Sequence, residues 1–187
     1  MQISGKKIAI LATHGFEQSE LEVPRDRLKA AGATVHVVSP EKKEIKGWEK
    51  KDWGRPVQVD RQLGECSVDE YDAIVLPGGQ INPDLLRVDA KALEFIRAFF
   101  DQKKVVAAIC HAPWLLVETG IIKGRKCTSY HSIKTDVINA GGKWEDSEVV
   151  ADQGIITSRK PDDLEAFSKK IIEEVAEGRH TRRNAAA

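Results

Sequence analysis

Cys110 and His111 stand side by side where an apolar run, VVAAI, gives way to APWLL. A thiol beside an imidazole is the smallest unit that could perform nucleophilic catalysis through sulfur, provided the thiol can lose its proton near neutral pH. Between a buried strand and a helix beginning near Pro113, Cys110 would occupy a tight turn at a helix start, where backbone N–H groups and the dipole favour thiolate. On this reading the Cys110 pKa is lowered. The backbone N–H of His111 then serves as one oxyanion donor, and the Gly78-Gly79 turn, through Gly79, supplies the other. A cysteine packed in a core next to a histidine is the competing reading of the pair, since adjacent side chains tend to diverge.

The other candidates lie near the ends of neighbouring apolar runs. Glu17, in THGFEQSE, could accept from or donate to the Cys110 sulfur; if desolvated it would be protonated and would stabilise thiolate without adding a like charge. The alternative for Glu17 is a helix-start carboxylate, a role that Glu20 and Glu22 fit better. Asp84, in LPGGQINPD, could orient His111, or could simply belong to a turn and helix start. Gly78 lets backbone approach a substrate, and His14 lines the mouth of the crevice or is merely solvated. Trp114 is packing or a substrate wall, and Cys66 and Cys127 are bystanders. Cys110, His111, His14 and Glu17 carry zinc-binding donor atoms, but their spacing fits no recognised set, so neither metal nor cofactor is expected.

Positioning these groups requires strands that end together. KKIAILA (6–12), TVHVVS (34–39), DAIVLP (72–77) and KVVAAI (104–109) are rich in Val, Ile and Ala without alternation, as in strands covered on both faces. Helix-length segments lie between them. Residues 17–32 carry Leu21 and Leu28 seven apart and end at Gly32, with Pro24 expected to perturb a turn. Residues 89–102 place Leu93, Ile96 and Phe100 on one face. The last helix begins near Pro161, with Leu164, Phe167, Ile171 and Val175 as its buried stripe. Strands alternating with helices predict a doubly wound α/β fold with a largely parallel sheet between helices, and ligands binding at the strands' carboxyl ends. The charged stretch 41–60 breaks the alternation and reads as a hairpin on the sheet's edge. Residues 148–158 read as a second hairpin around Asp152-Gln153-Gly154. One domain over 1–177 is expected, with 178–187 a flexible tail.

Composition removes several functional classes. Lysine plus arginine and aspartate plus glutamate number 29 each, so no basic field exists to draw nucleic acid or an anionic membrane. The opening residues read as a first strand and not as a signal peptide, and no apolar stretch approaches a membrane span. Three widely spaced cysteines do not make a disulfide set, and the cytoplasm is the expected location.

The blocks GFEQSELEVP, AIVLPGG, NPDLLR, AAICHAPWLL, GIIKGRKCTSY and SRKPDDLEAF, spread in order over residues 6 to 176, resemble the signature of the PfpI family of intracellular cysteine peptidase-like proteins. The resemblance implies a three-layer α/β/α sandwich of the flavodoxin-like, class I glutamine amidotransferase-like kind. It also implies Cys110 as nucleophile, His111 as its partner, Glu17 as the carboxylate touching the thiol, and an acid at Asp84 supplied by a neighbouring subunit. A homodimer or homohexamer with the site at the interface follows. Family members often carry Glu at that last position, so the shorter Asp changes the reach. The activity implied is a cysteine-dependent hydrolase acting on a peptide or small molecule and associated with stress, or a deglycase/glyoxalase acting on glyoxal adducts. A non-enzymatic redox-sensing chaperone is the rival from another class.

Overall fold

The computed structural model describes residues 1–178, so most of the expected tail, from 179 on, lies outside the described residues. The elements run β1 (Lys7–Leu11), α1 (Gln18–Ala30), β2 (Thr34–Ser39), β3 (Glu44–Glu49), β4 (Asp52–Gln58), β5 (Arg61–Gln62), β6 (Ala73–Leu76), α2 (Ile81–Leu86), α3 (Ala90–Asp101) and β7 (Val105–Ile109). They continue with α4 (Pro113–Glu118), β8 (Lys126–Cys127), α5 (Lys134–Asn139), β9 (Lys143–Trp144), β10 (Val149–Asp152), β11 (Ile155–Ser158) and α6 (Leu164–Glu177). The main sheet has the order β10-β11-β7-β6-β1-β2-β5, parallel except for β10. This is the mostly parallel, doubly wound sheet expected.

The unalternating apolar runs are explained by two cores, one on each face. Ile8, Ile10, Val75 and Ala107 point into a core closed by α1 and α6, while Ala9, Leu11, Ile74 and Ala108 point into the other, under α3, α4 and α5. In the central strands β1, β6 and β7 every position after Lys7 is buried against one layer or the other, so apolar residues fill both registers. Helix α1 runs unbroken through Pro24, which is buried. In α3 the buried face is Ala92, Phe95, Ile96, Phe99 and Phe100, with Leu93 at its margin. Residues 161–163 form a short 3₁₀ turn before α6, whose stripe is as expected.

The two hairpin expectations fare differently. Strands β10 and β11 pair antiparallel around Gln153-Gly154, both left-handed at φ 53° and 79°. Strands β3 and β4 also form a hairpin, but it does not join the sheet's edge, which β5 occupies. The reason is a set of bonds to the β1–α1 loop: Gly15 N–H donates to Lys46 C=O at 2.8 Å and Trp48 N–H to Phe16 C=O at 2.6 Å. The ribbon thus stands over the carboxyl end of the sheet.

That end is where β1 and β6 lie side by side while the chain winds outward from them in opposite directions, leaving a crevice between the loops that follow them. A buried amide fastens the two loops. Asn82 Oδ1 accepts from Thr13 N–H at 2.7 Å, and its Nδ2 donates to Pro77 C=O at 2.8 Å and Gly78 C=O at 3.3 Å. Asn82→Ala strands a buried donor and a buried acceptor and is expected to lose roughly 2–4 kcal/mol, read by denaturant unfolding.

Candidate active site

Cys110 follows β7 directly and has φ 64°, in the left-handed region that a non-glycine residue enters at a cost of about 1–2 kcal/mol. Its backbone is held on both sides: the N–H donates to Ser158 C=O at 3.0 Å and the C=O accepts from Tyr130 N–H at 2.8 Å. This sharp reversal, in place of an extended backbone, brings neighbouring side chains together. Cys110 Sγ lies 3.1 Å from His111 Nδ1. The imidazole stacks on Tyr130, centroids 4.8 Å apart at 26°, meets Trp114 edge-on at 5.3 Å, and reaches Ser132 Oγ through Nε2 at 3.1 Å. Both side chains are sequestered, at 6% exposure for Cys110 and 4% for His111.

The carboxyl group against the sulfur is that of Glu20, which corrects the expectation for Glu17. Glu20 is fully buried; its Oε2 accepts from Gly78 N–H at 2.9 Å, and its Oε1 has no hydrogen-bond partner among the described residues. Glu17 instead precedes the helix, half-buried on the cavity wall, accepting from Ser19 O–H at 3.4 Å. The physical reason is position along the chain: Glu20, Pro24 and Leu28 fall at i, i+4 and i+8 on the buried face of α1, whereas Glu17 precedes the helix as its extended N-cap. That stripe is the sequence signal for Glu20, although an acid in a first turn is commonly solvated. Gly78 is required here, since a Cβ would sit 2.6 Å from Cys110 Cβ, Glu20 Oε2 and Ile109 O alike.

A cavity of about 570 Å³ opens onto the sulfur, with Glu17, Trp48, Gly79, Ile81, His111 and Tyr130 among its walls. Of the other candidates, Gly79 lines it with φ 80°. Four do not line it. Gly78 lies just behind, spending its N–H on Glu20. His14 accepts from Lys46 N–H at 3.1 Å and so ties down the hairpin. Trp114 backs His111 and donates to Asp136 at 2.8 Å. Asp84 is exposed on α2, and none of the hydrogen bonds found among the described residues joins it to His111. Trp48, Lys50, Tyr130 and Ser132 escaped the sequence reading, because the hairpin and the loop after β8 reach the site only through tertiary contacts.

Burial dominates the electrostatics. It raises Glu20 to about 8, with the charge of Glu17 adding to the shift. It holds His111 down at about 4, with His131 contributing, so the imidazole is neutral at neutral pH. The Cys110 thiol is pushed up by burial and by Glu20, against the pull of the Gly79 and His111 N–H groups. The lowered thiol value expected from a helix start is therefore corrected, since α4 has only six residues and begins three positions later. An anion on sulfur is compatible only with a protonated Glu20, because two adjacent buried charges of one sign are prohibitively costly.

Residues 6–174 match the model of the DJ-1/PfpI family. The chain belongs to that family. A candidate cysteine protease, YraA, of Bacillus subtilis is 43% identical over 168 residues, 89% of this chain and 96% of that protein. Protein/nucleic acid deglycase 2 of Escherichia coli is 42% identical over 169 residues, 89% of this chain and 96% of its own length. Among solved structures, Drosophila melanogaster DJ-1beta superposes with a TM-score of 0.83 at 29% identity, covering 94% of this chain and 95% of that one. The DJ-1/PfpI fold is thus shared over nearly the whole chain, including the flavodoxin-like layering expected from the sequence motifs. No helix of the described residues is long and apolar enough to cross a membrane.

The two shifts make opposite contributions to stability. Glu20, raised above its ordinary 4.5, keeps a proton in the fold that the unfolded chain has released, so its contribution is complete below 4.5 and is lost as pH climbs to about 8. His111, depressed below its ordinary 6.5, contributes fully above 6.5 and loses that contribution as pH falls to about 4. Between pH 6.5 and 8 only Glu20 acts. There, wild-type unfolding free energy is expected to fall with pH by at most about 1.4 kcal/mol per unit, and Glu20→Gln to flatten the slope.

Proposed function

We propose that this member of the DJ-1/PfpI family is a cysteine-dependent hydrolase of small carbonyl adducts, with Cys110 as nucleophile. The observation that carries the reading is the sulfur's situation, at the floor of a cavity with a neutral imidazole on one side and a protonatable carboxyl on the other. An extended peptide main chain would have to thread beneath the β3–β4 hairpin to reach a sulfur only 6% exposed, whereas an adduct on a side chain or free amine can enter end-on. Deglycase chemistry is therefore favoured over peptidase chemistry. The naming of one relative as a candidate protease and another as a deglycase leaves both within the family.

In the first step the sulfur lone pair forms a bond to the carbinol carbon of the adduct as its C–N bond breaks, and the neighbouring carbonyl oxygen then takes on negative charge as a proton moves from that carbon to the next. That oxygen takes over the Gly79 and His111 N–H groups, which polarise the sulfur beforehand. Glu20, protonated, neutralises the pocket and holds the sulfur in place. His111 carries the thiol proton to the amine nitrogen that departs, and a water molecule then frees the sulfur from the resulting thioester, its hydroxyl going to the acyl carbon and its remaining proton to sulfur. The balanced surface charge argues against a polyanion groove, yet says nothing against a single modified base entering the cavity.

We further propose that a second copy covers α2. Ile81 and Leu85, with Val88 just beyond, are exposed beside the cavity and flank Asp84, which is where an acid donated across an interface would have to stand.

Cys110→Ser is expected to lower turnover of a methylglyoxal-modified amine by about 10³-fold or more, with unfolded casein cleaved slowly or not at all. Retention of adduct turnover within twofold of wild type would refute the assignment. Casein cleavage outpacing adduct release would move the chain to the peptidase side.

A further inference from the structure

We propose that Lys50, at the turn of the β3–β4 ribbon, is a specificity-determining residue: its ammonium receives a carboxylate on the amine that carries the adduct, so that the cavity selects adducts of amino acids with a free carboxylate over those of neutral amines. The inference rests on the hydrolase reading and names the substrate class of that same site.

Three observations carry it. The first is the charge of the cavity wall. Among the described residues that line it, Lys50 is the one lysine or arginine, and it shares the wall with Glu17, Glu20 and His111. Glu20 keeps its proton and His111 is neutral, so without Lys50 the wall would offer an incoming anion only the acid of Glu17.

The second is that the ammonium is available. No ion pair or side-chain hydrogen bond found among the described residues engages Lys50 Nζ; the one hydrogen bond at this residue is accepted by its backbone C=O. The acid next to it, Glu49, is instead taken by Arg55 at 3.4 Å, together with Glu22 at 2.6 Å.

The third is the backbone. Glu49 pairs with Asp52, which leaves a two-residue turn, and Lys50 is its first residue, left-handed at φ 59°. Glycine, asparagine and aspartate suit that position, so a lysine there keeps a side chain at the expense of backbone ease. Trp48, also on the wall, donates its indole N–H to Lys50 C=O at 3.2 Å and so fastens the turn beside the cavity.

The direction of entry then decides what Lys50 meets. An adduct that enters end-on brings its modified nitrogen to the sulfur, which is 6% exposed, and leaves the rest of its carrier at the mouth, where the exposed Lys50 stands. A free carboxylate on the carrier meets the ammonium there, whereas an internal residue of a polypeptide presents only neutral amides. Lys50 takes no part in the bond changes and acts on binding alone.

The experiment compares wild type with Lys50→Arg, Lys50→Gln and Lys50→Glu in the full chain, on the methylglyoxal adducts of Nα-acetyl-lysine and of its C-terminal amide, two carriers that differ by one negative charge. The readout is the acid-to-amide ratio of kcat/KM. Lys50→Arg is expected to keep the wild-type ratio, Lys50→Gln to lower it about 2- to 5-fold, the range for one exposed charge pair, and Lys50→Glu to lower it further. A ratio that Lys50→Gln leaves unmoved, equal losses on both carriers included, would overturn the proposal and leave the hydrolase reading standing. If neither carrier is turned over, the hydrolase reading fails by itself, and Cys110 alkylation by iodoacetate against iodoacetamide decides for Lys50, since these reagents differ by the same charge and need no hydrolysis. A Lys50→Gln chain that loses reactivity toward iodoacetate relative to iodoacetamide supports the anion-receiving role, and an unchanged ratio ends it.

Discussion

A carboxyl group without access to water, set between the Gly78 amide and the Cys110 sulfur, is the constraint around which the carboxyl end of the sheet is organised. Ionised alone at that depth it would be intolerable, so it keeps its proton well into the neutral range. This fixes the charge state of everything beside it. The sulfur can become anionic only because its neighbour is neutral, and the imidazole contributes no positive charge of its own. On the reading proposed here, reactivity would come from directed N–H groups and a shared proton, not from an ion pair.

Such an arrangement needs backbone that leaves no slack. Cys110 is held left-handed by bonds to β11 on one side and to the Tyr130 segment on the other. Gly78 is the one residue type that fits between three groups at 2.6 Å. Asn82 stitches the two loops at the point where the winding of the sheet reverses. Strain at one residue is thus balanced by satisfied hydrogen bonds at its neighbours, as at other sites where unusual backbone persists.

The sheet and its crevice were legible in the sequence because continuous runs of Val, Ile and Ala flanked by amphipathic stretches admit few other arrangements. Cys110, His111 and Gly79 were legible for the same reason, as each sits at the end of such a run. Glu20 was legible in principle from its phase with Pro24 and Leu28, yet a carboxylate in a first turn is so often solvated that its burial needed coordinates. Trp48 and Ser132 could not be read at all. One arrives on a ribbon whose docking is set by backbone bonds to residues 15 and 16, the other on a turn following a two-residue strand, and neither placement leaves a periodic trace.

The β3–β4 ribbon adds Trp48 and Lys50 to the cavity wall while taking no place in the seven-stranded sheet. Its inner face rests on the side chain of Gln18, whose amide lies under Gly47 and Gly54 and forms no hydrogen bond among the described residues. The ribbon is a module joined to the sheet by backbone seams, and it lends only Ile45 and Val57 to the core under α1 and α6. Altering its tip or grafting another in its place would reshape what enters the cavity and leave the sulfur, the carboxyl and the imidazole as they are, so selectivity can drift in this scaffold while its chemistry stays fixed.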